Sequence, residues 1–332
     1  MHIVVYGAGA VGCFLGGSLH AEGHLVTLIG RAQTKDAINA QQGLRLSDYI
    51  GRDLLIPHIR FETSEAVLAE ADVVIIAVKC LAMEQVSERL LHFCRPGTRV
   101  ICLQNGIGSN HFLTRQQHDL IVLNLIVSFT VTQYGHAHVH RSSSGALHLE
   151  TPQHLATIAE SLSEQQLDIR IEDNIESVRW ARLQLSLNNA INALSGLPLR
   201  DQLQQRDYRR ILASAMQELL HVSDAQAIRL AQITPIPARW IPPFLKQPDW
   251  LFRHSANWLV EVDPIASSAM QADLNRGKMT EVLYLNGAVV EAGEKLGIAT
   301  PVNRALCRLV GEAEAGLRKP GLSAEQILDE IA

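Results

Sequence analysis

The first 21 residues of this 332-residue chain contain five glycines and no Lys, Arg, Asp or Glu. His2–Tyr6 is a short apolar run, which is typical of a buried parallel strand. Gly7, Gly9 and Gly12 follow at once in the spacing G-x-G-x-x-G, and a helical pattern of small residues then ends near Glu22. A charge-free strand, a glycine turn and a helix in this order predict the start of a sheet covered by helices. They do not fit a signal peptide or a membrane span, which need a basic leader or about 20 mainly apolar residues.

The glycine pattern also predicts a ligand. Gly7 permits the tight turn, Gly9 lets a pyrophosphate approach the backbone, and Gly12 lets the helix pack closely on the strand. The helix N-terminus supplies free N–H groups and a partial positive charge for the phosphates. The predicted dinucleotide-binding residues of this turn are Gly7, Ala8, Gly9, Ala10, Val11 and Gly12. The alternative is a tight structural turn in another kind of α/β protein.

The end of the second predicted strand, His24–Ile29, indicates which dinucleotide binds. An NAD site usually places Asp or Glu there for the ribose 2′-hydroxyl, whereas this chain has Gly30-Arg31. A guanidinium can bind a 2′-phosphate through charged hydrogen bonds. We therefore predict NADP(H) with Arg31 as the recognition residue, and the alternative is that Arg31 is a solvated loop arginine.

Charge and cysteine content narrow the class of protein. The formal net charge is −5, which argues against nucleic-acid and anionic-membrane partners because both favour a basic surface. The five cysteines are scattered and form no C-x-x-C pair. This pattern predicts reduced thiols in a cytoplasmic protein. His136, His138 and His140 would share one face of a strand and could bind a transition metal, but no acidic or cysteine partner is nearby in the sequence, so we expect a solvated hairpin face and no metal site.

Alternating strand and helix patterns predict a Rossmann-type doubly wound α/β domain over residues 1–173. Its expected strands include Leu54–Ile59, Asp72–Val78 and Arg99–Leu103, and Gly135–Glu150 is expected to form a hairpin with Arg141–Gly145 as its turn. Residues 174–332 have helical periodicity and little strand signal, so they predict an all-α domain. A proline-rich stretch, Ile233–Pro248, is expected to interrupt these helices as a loop or an extended segment.

Several motifs resemble the ketopantoate reductase (2-dehydropantoate 2-reductase) family. Besides the glycine turn with Arg31, they are Val78-Lys79, Gln104-Asn105-Gly106-Ile107-Gly108, and the stretch from Met279-Thr280-Glu281 to Leu285-Asn286-Gly287, which continues to Gly297–Pro301. A helix led by Trp180 and running to Gly196 is similar to the family's W-x-K-x-x-x-N helix. The Thr-Glu…Leu-Asn-Gly segment is much more specific than the glycines, and together the motifs cover nearly the whole chain.

The resemblance implies a fold, an activity and a set of site residues. The helical domain would resemble the C-terminal domain of 6-phosphogluconate dehydrogenase, would carry substrate and would support a homodimer. The family reduces a small-molecule 2-keto acid with NADPH, a step of pantothenate biosynthesis. The implied catalytic residues are Arg182 at the family's lysine position, Lys79 and Glu281. Lys79, Asn105 and Glu281 are also expected to contact the cofactor, and Asn105 the substrate.

Three positions depart from the family pattern. The lysine position holds Arg182, the first asparagine position holds Ser186, and the serine position falls on Ala269 beside Ser268. The implied substrate-binding residues are therefore Ser186, Asn188, Asn189, Asn192 and Ser268, with the choice among the asparagines left open. The match around Asn192 requires two extra residues after Trp180, which a helical bulge could absorb. Arginine has a pKa above about 12 and is a poor proton donor, although it can stabilise an alkoxide or hold a carboxylate.

Three functions are compatible with these residues. The first is NADPH-dependent reduction of 2-dehydropantoate to pantoate. The second is an oxidoreductase of the same superfamily that acts on a different 2-oxo or 2-hydroxy acid, as the three departures indicate. The third is a catalytically silent NADP-binding protein, because the family lysine is absent.

Overall fold

The computed structural model of the chain describes residues 1–108, 111–114, 119–150, 155–255 and 267–331. The chain folds into two compact units. The first comprises Met1–Asn105 and Ser109–Ile175, and the second comprises Gly106–Gly108 and Glu176–Ala332. Each unit has its own hydrophobic core. No helix within the described ranges is long and apolar enough to cross a membrane.

The first unit is built on strands and the helices that cover them. Its strands are β1 (His2–Tyr6), β2 (Leu25–Ile29), β3 (Leu44–Asp48), β4 (Asp53–Ile56), β5 (Arg60–Glu62), β6 (Val73–Ile76), β7 (Arg99–Cys102), β8 (Ile121–Val127), β9 (Val131–Tyr134), β10 (His138–Arg141), β11 (Ala146–Glu150) and β12 (Asp168–Glu172). Its helices are α1 (Ala10–Ala21), α2 (Ala32–Ala40), α3 (Met83–Phe93), α4 (His111–Thr114) and α5 (Ala156–Glu164). The predicted α/β class is confirmed.

The main sheet has the strand order β12-β11-β8-β7-β6-β1-β2-β5. In this order, the neighbouring strands from β8 through β7, β6, β1 and β2 to β5 all pair in parallel, whereas β11 runs antiparallel to β8. β1 occupies the middle of this sheet, and Ile3, Val4 and Val5 are fully buried. A strand buried on both faces reads as a continuous apolar run, which explains the composition of the N-terminus.

A smaller sheet with the order β4-β3-β10-β9 lies on the other side of α1. A methyl group added at Gly16 would lie 2.7 Å from a methyl of Leu28 in the main sheet. One added at Gly17 would lie 2.9 Å from a methyl of Leu46 in the smaller sheet. Helix α1 is therefore packed between two sheets, and both its missing charges and its small residues follow from that position.

The predicted hairpin over Gly135–Glu150 is wrong in its pairing. β10 pairs antiparallel with β9 across the turn at residues 135–137, and it pairs parallel with β3. β11 instead joins the main sheet beside β8 and β12. The polar segment before β11 is thus a crossing between two sheets rather than a hairpin turn.

The second unit is helical within its described residues, as predicted. Its helices are α6 (Ile175–Ser186), α7 (Asn188–Ser195), α8 (Leu199–Gln204), α9 (Arg206–Ala225), α10 (Ile241–Leu245), α11 (Asp249–Ser255), α12 (Ala269–Asn275), α13 (Asn286–Leu296), α14 (Pro301–Glu314) and α15 (Ala324–Asp329). The helical run after Trp180 is interrupted at Leu187, close to where the two extra residues were placed.

The proline-rich segment is more ordered than the sequence predicts. It contains the short helix α10 with proline in its first turn, where the missing N–H costs nothing. The wholly buried Arg209 of α9 donates hydrogen bonds to the carbonyl oxygens of Leu245 (3.0 Å) and Gln247 (2.9 Å). It also pairs with Asp249 at 2.8 Å, so one buried guanidinium ties this segment to the core.

Candidate active site

The glycine turn between β1 and α1 requires two of its glycines for steric reasons. Gly7 has φ +114°, and a methyl group there would lie 2.7 Å from the carbonyl oxygen of Ala77. A methyl group at Gly12 would lie 2.1 Å from the carbonyl oxygen of Gly7. The N–H groups of Gly7 and Ala8 both donate to the carbonyl of Ile29, at 3.0 and 2.9 Å, which ties the turn to β2.

Gly9 has a different environment, because a methyl group added there would meet nothing within 4 Å. Gly9 is exposed and is the N-cap of α1, where no side chain caps the helix. The first intrahelical hydrogen bond runs from the N–H of Cys13 to the carbonyl of Gly9, at 2.9 Å. The N–H groups of Ala10, Val11 and Gly12 therefore lie in the first turn, without acceptors from their own helix. Open space and a helix N-terminus together fit a dinucleotide pyrophosphate.

Arg31 is exposed directly after β2. Gly30 allows the close approach at this point, since a methyl group there would lie 2.6 Å from the Ala8 side chain. A carboxylate that was not predicted from the sequence also lies at this edge: Glu62 ends β5, and its carbonyl accepts from the Gly30 N–H at 3.1 Å. Its side chain pairs with Arg60 at 3.2 Å and with Lys35 at 3.8 Å. Only the pairing of β5 with β2 shows that Glu62 lies near Arg31, because these two residues are distant in sequence.

Lys79 and Asn105 both follow parallel strands at the carboxyl edge of the main sheet, where such folds bind ligands. Lys79 is exposed and precedes a short 3₁₀ turn, Cys80–Ala82. Asn105 is half-buried, and its Oδ1 is buried without a hydrogen-bond donor among the described residues. An unpaired buried acceptor is costly and is a reason to expect a ligand or water at this atom.

Gln104 belongs to a family motif, but no role was predicted for it from the sequence. Its Nε2 donates to the carbonyl oxygens of Ile76 and Val78, both at 3.1 Å. These carbonyls flank Ala77, against which Gly7 and Gly12 pack. Gln104 thus fixes the backbone that forms one wall of the glycine turn. The signal available in the sequence was a polar residue that follows the buried apolar strand β7 after a single leucine, Leu103.

Arg182 lies on α6 and is partly exposed, whereas most of its neighbours on the helix are buried. Its Nε is buried and has no hydrogen-bond partner within the described residues. Burial lowers the pKa of this guanidinium from its usual value, which does not make it a practical proton donor near neutral pH. Ser186, one turn later, donates its hydroxyl proton to the carbonyl of Arg182 at 3.0 Å, so it is buried and bonded within its own helix.

Two of the three candidate asparagines, among which the sequence left the choice open, are hydrogen-bonded within the fold. Asn188 and Gln202 form a reciprocal pair of buried amide hydrogen bonds, at 2.9 and 3.2 Å. Asn192 is fully buried: its Nδ2 donates to the carbonyl of Leu197 at 2.9 Å, and its Oδ1 accepts from the N–H of Ser268 at 2.9 Å. Both amides therefore help to hold the fold together, and their contact with a substrate stays a prediction.

Ser268 is also used within the fold. Its Oγ accepts from the N–H of Gln271 at 3.1 Å and caps α12, and it donates to the Asn189 carbonyl at 3.4 Å. Ser268 as a substrate ligand stays a prediction. Asn189 differs from its neighbours on the helix because it is half-buried.

Glu281 is half-buried and precedes a 3₁₀ turn, Val282–Tyr284. The α-helix α13 begins only at Asn286, five residues after Glu281. The adjacent Thr280 is held from two sides: its N–H donates to Glu314 at 2.7 Å, and its Oγ1 accepts from the N–H of Val282 at 3.2 Å. Within the described ranges, no group of three or more His, Cys, Asp or Glu side chains could hold a metal ion.

Comparison with known proteins identifies the family. Residues 3–153 match the family described as ketopantoate reductase PanE/ApbA, and residues 174–314 match its C-terminal domain. The chain is 25% identical over 327 residues to the 2-dehydropantoate 2-reductase of Archaeoglobus fulgidus, covering 95% of this chain and 98% of that protein. It is 26% identical over 320 residues to the enzyme of that name from Halobacterium salinarum, covering 95% and 99%.

Two solved structures have the same fold. The PanE/ApbA family ketopantoate reductase from Ralstonia eutropha JMP134 is 29% identical, with a TM-score of 0.80 over 95% of this chain and 99% of that one. A D-mandelate dehydrogenase, solved as a ternary structure with NADH and anilino(oxo)acetate, is 22% identical, with a TM-score of 0.78 over 96% and 99%. The chain belongs to the ketopantoate reductase family of NAD(P)H-dependent oxidoreductases.

Proposed function

We propose that this chain is a cytoplasmic reductase that converts 2-dehydropantoate and NADPH to pantoate and NADP⁺, a step of pantothenate synthesis. The observation that carries the proposal is Arg182: a partly exposed cationic side chain on α6 whose Nε has no hydrogen-bond partner among the described residues, at the position aligned with the family's catalytic lysine. The names of the curated relatives support the substrate. The five cysteines, all described and none in a disulfide, support a reducing compartment.

The preference for NADPH rests on Arg31. It lies exposed after β2, next to the Ala8–Gly30 contact that brings β2 close to the glycine turn. The nearby Glu62 is already paired with Arg60 and Lys35, which makes its carboxylate less available to accept a hydrogen bond from a ribose hydroxyl. Titration with NADPH and NADH tests this assignment: Arg31→Ala is expected to bring the two affinities together. Equal affinities already in the wild-type protein would contradict it.

A bound reduced nicotinamide supplies the hydride. Hydride arrival at the ketone creates an alkoxide, which requires compensating positive charge and a proton. Arg182 provides a fixed cation that can stabilise the alkoxide or hold the substrate carboxylate through two parallel hydrogen bonds. Because a guanidinium does not release its proton near neutral pH, we propose that the proton comes from water or from Lys79. Asn105 and Glu281 are proposed to bind polar groups of cofactor and substrate.

A second candidate is reduction of a different 2-oxo acid, or oxidation of the matching 2-hydroxy acid. The observation that favours it is that three polar site positions of the family are changed. Arg182 replaces the lysine, Ser186 replaces the first asparagine and is bonded to its own helix, and Ala269 replaces the serine. The neighbouring D-mandelate dehydrogenase shows that this fold accommodates such ligands in another protein.

Steady-state NADPH oxidation separates the candidates. Turnover with 2-dehydropantoate at about 1–10³ s⁻¹ supports the first, and turnover only with other 2-oxo acids supports the second. Tight NADPH binding without turnover on any 2-oxo acid would refute both and indicate a silent binding protein.

Arg182→Met, which keeps much of the side-chain volume and removes the charge, is expected to lower kcat/KM about 10²-fold or more while leaving NADPH affinity unchanged. Arg182→Lys is expected to preserve or raise reduction of 2-dehydropantoate.

We also propose a homodimer formed through the second unit. A neighbour of the same fold is described as a dimeric ketopantoate reductase from Staphylococcus aureus. Trp240 and Trp250 of the second unit are 63% and 73% exposed, which is unusual for large apolar side chains. Light scattering at micromolar concentration tests the proposal, and a monomer mass would refute it.

A further inference from the structure

Two histidines of β10 face away from the core of the first unit. Val139, which lies between them in the strand, is fully buried in the core that also contains residues of α1. His138 and His140 are half-buried and lie on the opposite face, because successive side chains of a strand alternate. The sequence places no acidic or cysteine partner near them. The parallel pairing of β10 with β3 supplies a polar neighbour, since it sets Ser47 directly opposite His140.

The two imidazole rings converge on one oxygen atom. Nε2 of His138 and Nδ1 of His140 each lie 2.8 Å from Oγ of Ser47, so the two nitrogens are within twice that distance of each other. A hydroxyl group has one proton, so Ser47 donates to one ring and accepts an N–H from the other. A neutral imidazole can carry its proton on either nitrogen. In the alternative tautomer, both nitrogens that face Ser47 present lone pairs to the same point.

The neighbours of this histidine pair hold the rings in place and offset the nearby positive charge. The ring of Tyr134, opposite His138 on β9, has its centroid 5.5 Å from that of His138 and 5.9 Å from that of His140. Arg45, opposite His138 on β3, donates to both carboxylate oxygens of Asp53, at 2.8 and 2.5 Å. The guanidinium charge is therefore already compensated, and the face that carries the histidines does not repel a cation as an isolated arginine would.

We propose that His138 and His140 form a binding site for a divalent metal ion of the zinc, copper and nickel class. Zinc binds imidazole nitrogens at about 2.0–2.1 Å, so a tetrahedral ion needs two nitrogens roughly 3.4 Å apart, which half-buried side chains on a sheet surface reach by small rotations. Nitrogen ligands favour these ions over Mg²⁺ and Ca²⁺, which prefer oxygen. The protein supplies two nitrogens, and the Ser47 hydroxyl or water fills the other positions, so binding is exchangeable and is reversed by a chelator. The site does not depend on the proposed function.

Calorimetric titration of the full chain with Zn²⁺ near neutral pH tests the site. The chain has 14 histidines, so the informative quantity is the binding that is lost on substitution. His138→Asn and His140→Asn are each expected to raise the Kd for Zn²⁺ about 10-fold or more, since even an outer partner of a metal ligand is worth about 10–100-fold. His136→Asn is the matched control: this residue shares the alternation but lies exposed in the turn before β10, and its substitution is expected to leave the Kd unchanged. Titration with Mg²⁺ is expected to show no binding that depends on these histidines.

Thermal unfolding gives a second measurement. An ion that binds only the native state raises Tm by mass action, so Zn²⁺ is expected to raise the Tm of the wild-type protein and of His136→Asn more than that of His138→Asn or His140→Asn. Glutamine variants at the same positions replace any asparagine variant that does not fold. The inference is overturned if the wild-type protein binds no Zn²⁺, or if its Kd is unchanged in both strand variants. An equal loss of binding in His136→Asn overturns it as well, because the ion would then lie on the turn.

Discussion

Gly12 and Gly9 are three residues apart in the same turn, yet replacing each with alanine is expected to have a different effect on stability and on NADPH binding. A Cβ at Gly12 would lie 2.1 Å from the carbonyl oxygen of Gly7 and 2.9 Å from the Cβ of Ala77. To restore an ordinary contact, the Gly7 carbonyl would have to retreat by about 1 Å. The turn cannot move freely, because the N–H groups of Gly7 and Ala8 are bonded to Ile29 of β2.

Two opposing contributions set the change in the free energy of unfolding for Gly12→Ala. Replacing glycine by alanine in a helix gains up to about 1 kcal/mol from backbone propensity. Overpacking a rigid site costs typically about 1–3 kcal/mol, and here the obstacle is backbone, which adjusts less easily than a side chain. We therefore expect a net loss of about 2 kcal/mol from the stability of the first unit, a fall in Tm of roughly 4–8 °C, and a loss of NADPH binding.

Gly9→Ala is the matched control, because its Cβ would meet nothing within 4 Å and its φ of −85° suits alanine. Its Tm is expected to equal or slightly exceed that of the wild-type protein. Its Kd for NADPH is expected to rise about 10-fold or more, since the methyl group would occupy the space through which a pyrophosphate approaches.

Differential scanning calorimetry with and without NADPH measures both effects. Tryptophan fluorescence is unsuitable for the first unit, because all four tryptophans lie after residue 174. A Gly12→Ala protein as stable as the wild-type protein would refute the steric reasoning. A Gly9→Ala protein with unchanged NADPH affinity would refute the assignment of the turn as the phosphate site.

Three further predictions concern the rest of the molecule. Gln104→Leu leaves the carbonyls of Ile76 and Val78 without its amide donor, so we expect a higher Kd for NADPH with a smaller change in kcat; an unchanged Kd would contradict its positioning role. Asn192→Ala is expected to destabilise the second unit by about 2 kcal/mol, measured by tryptophan fluorescence in urea. The reason is that the buried N–H of Ser268 loses its acceptor and the carbonyl of Leu197 keeps only the 3.4 Å hydrogen bond from Gln271. Hydrogen bonds from nearby arginines lower the pKa values of Glu312 and Glu330. The stability that these two carboxylates contribute is therefore complete above the ordinary glutamate pKa and is lost as the pH falls through their lowered pKa values in the folded protein. A Tm of the second unit that does not fall with acidification would refute this prediction.

Some site residues could be predicted from sequence because their function depends on local backbone geometry. The steric need for Gly7 and Gly12 arises within one turn, so their spacing after an apolar strand was sufficient to predict it. Arg182 could be aligned with the family's lysine because a helix preserves register over short distances. Gln104 was visible in the sequence, yet its role depends on two carbonyls that lie 26 and 28 residues away.

The asparagines after Arg182 show why the remaining site could not be predicted. Asn188, Asn189 and Asn192 are chemically identical, and helical periodicity alone left the choice among them open. Gln202 pairs with Asn188, and the N–H of Ser268, 76 residues away, binds Asn192. These partners are brought near by packing, and Asn189 is the one of the three asparagines that is not buried. The same cause applies to Glu62, which reaches the Arg31 edge only through the pairing of β5 with β2.

The sequence by itself determined the α/β start of the chain, the glycine turn, the helical second half and the family. Each of these depends on periodicity or spacing within a few consecutive turns, which the order of residues specifies directly. Only the tertiary structure decided which strands pair in each of the two sheets, which polar side chains form buried hydrogen bonds, and which positions of α6 and α7 are not buried. The physical reason is that a buried polar group must find a partner, and the partner is supplied by whichever distant segment packs against it.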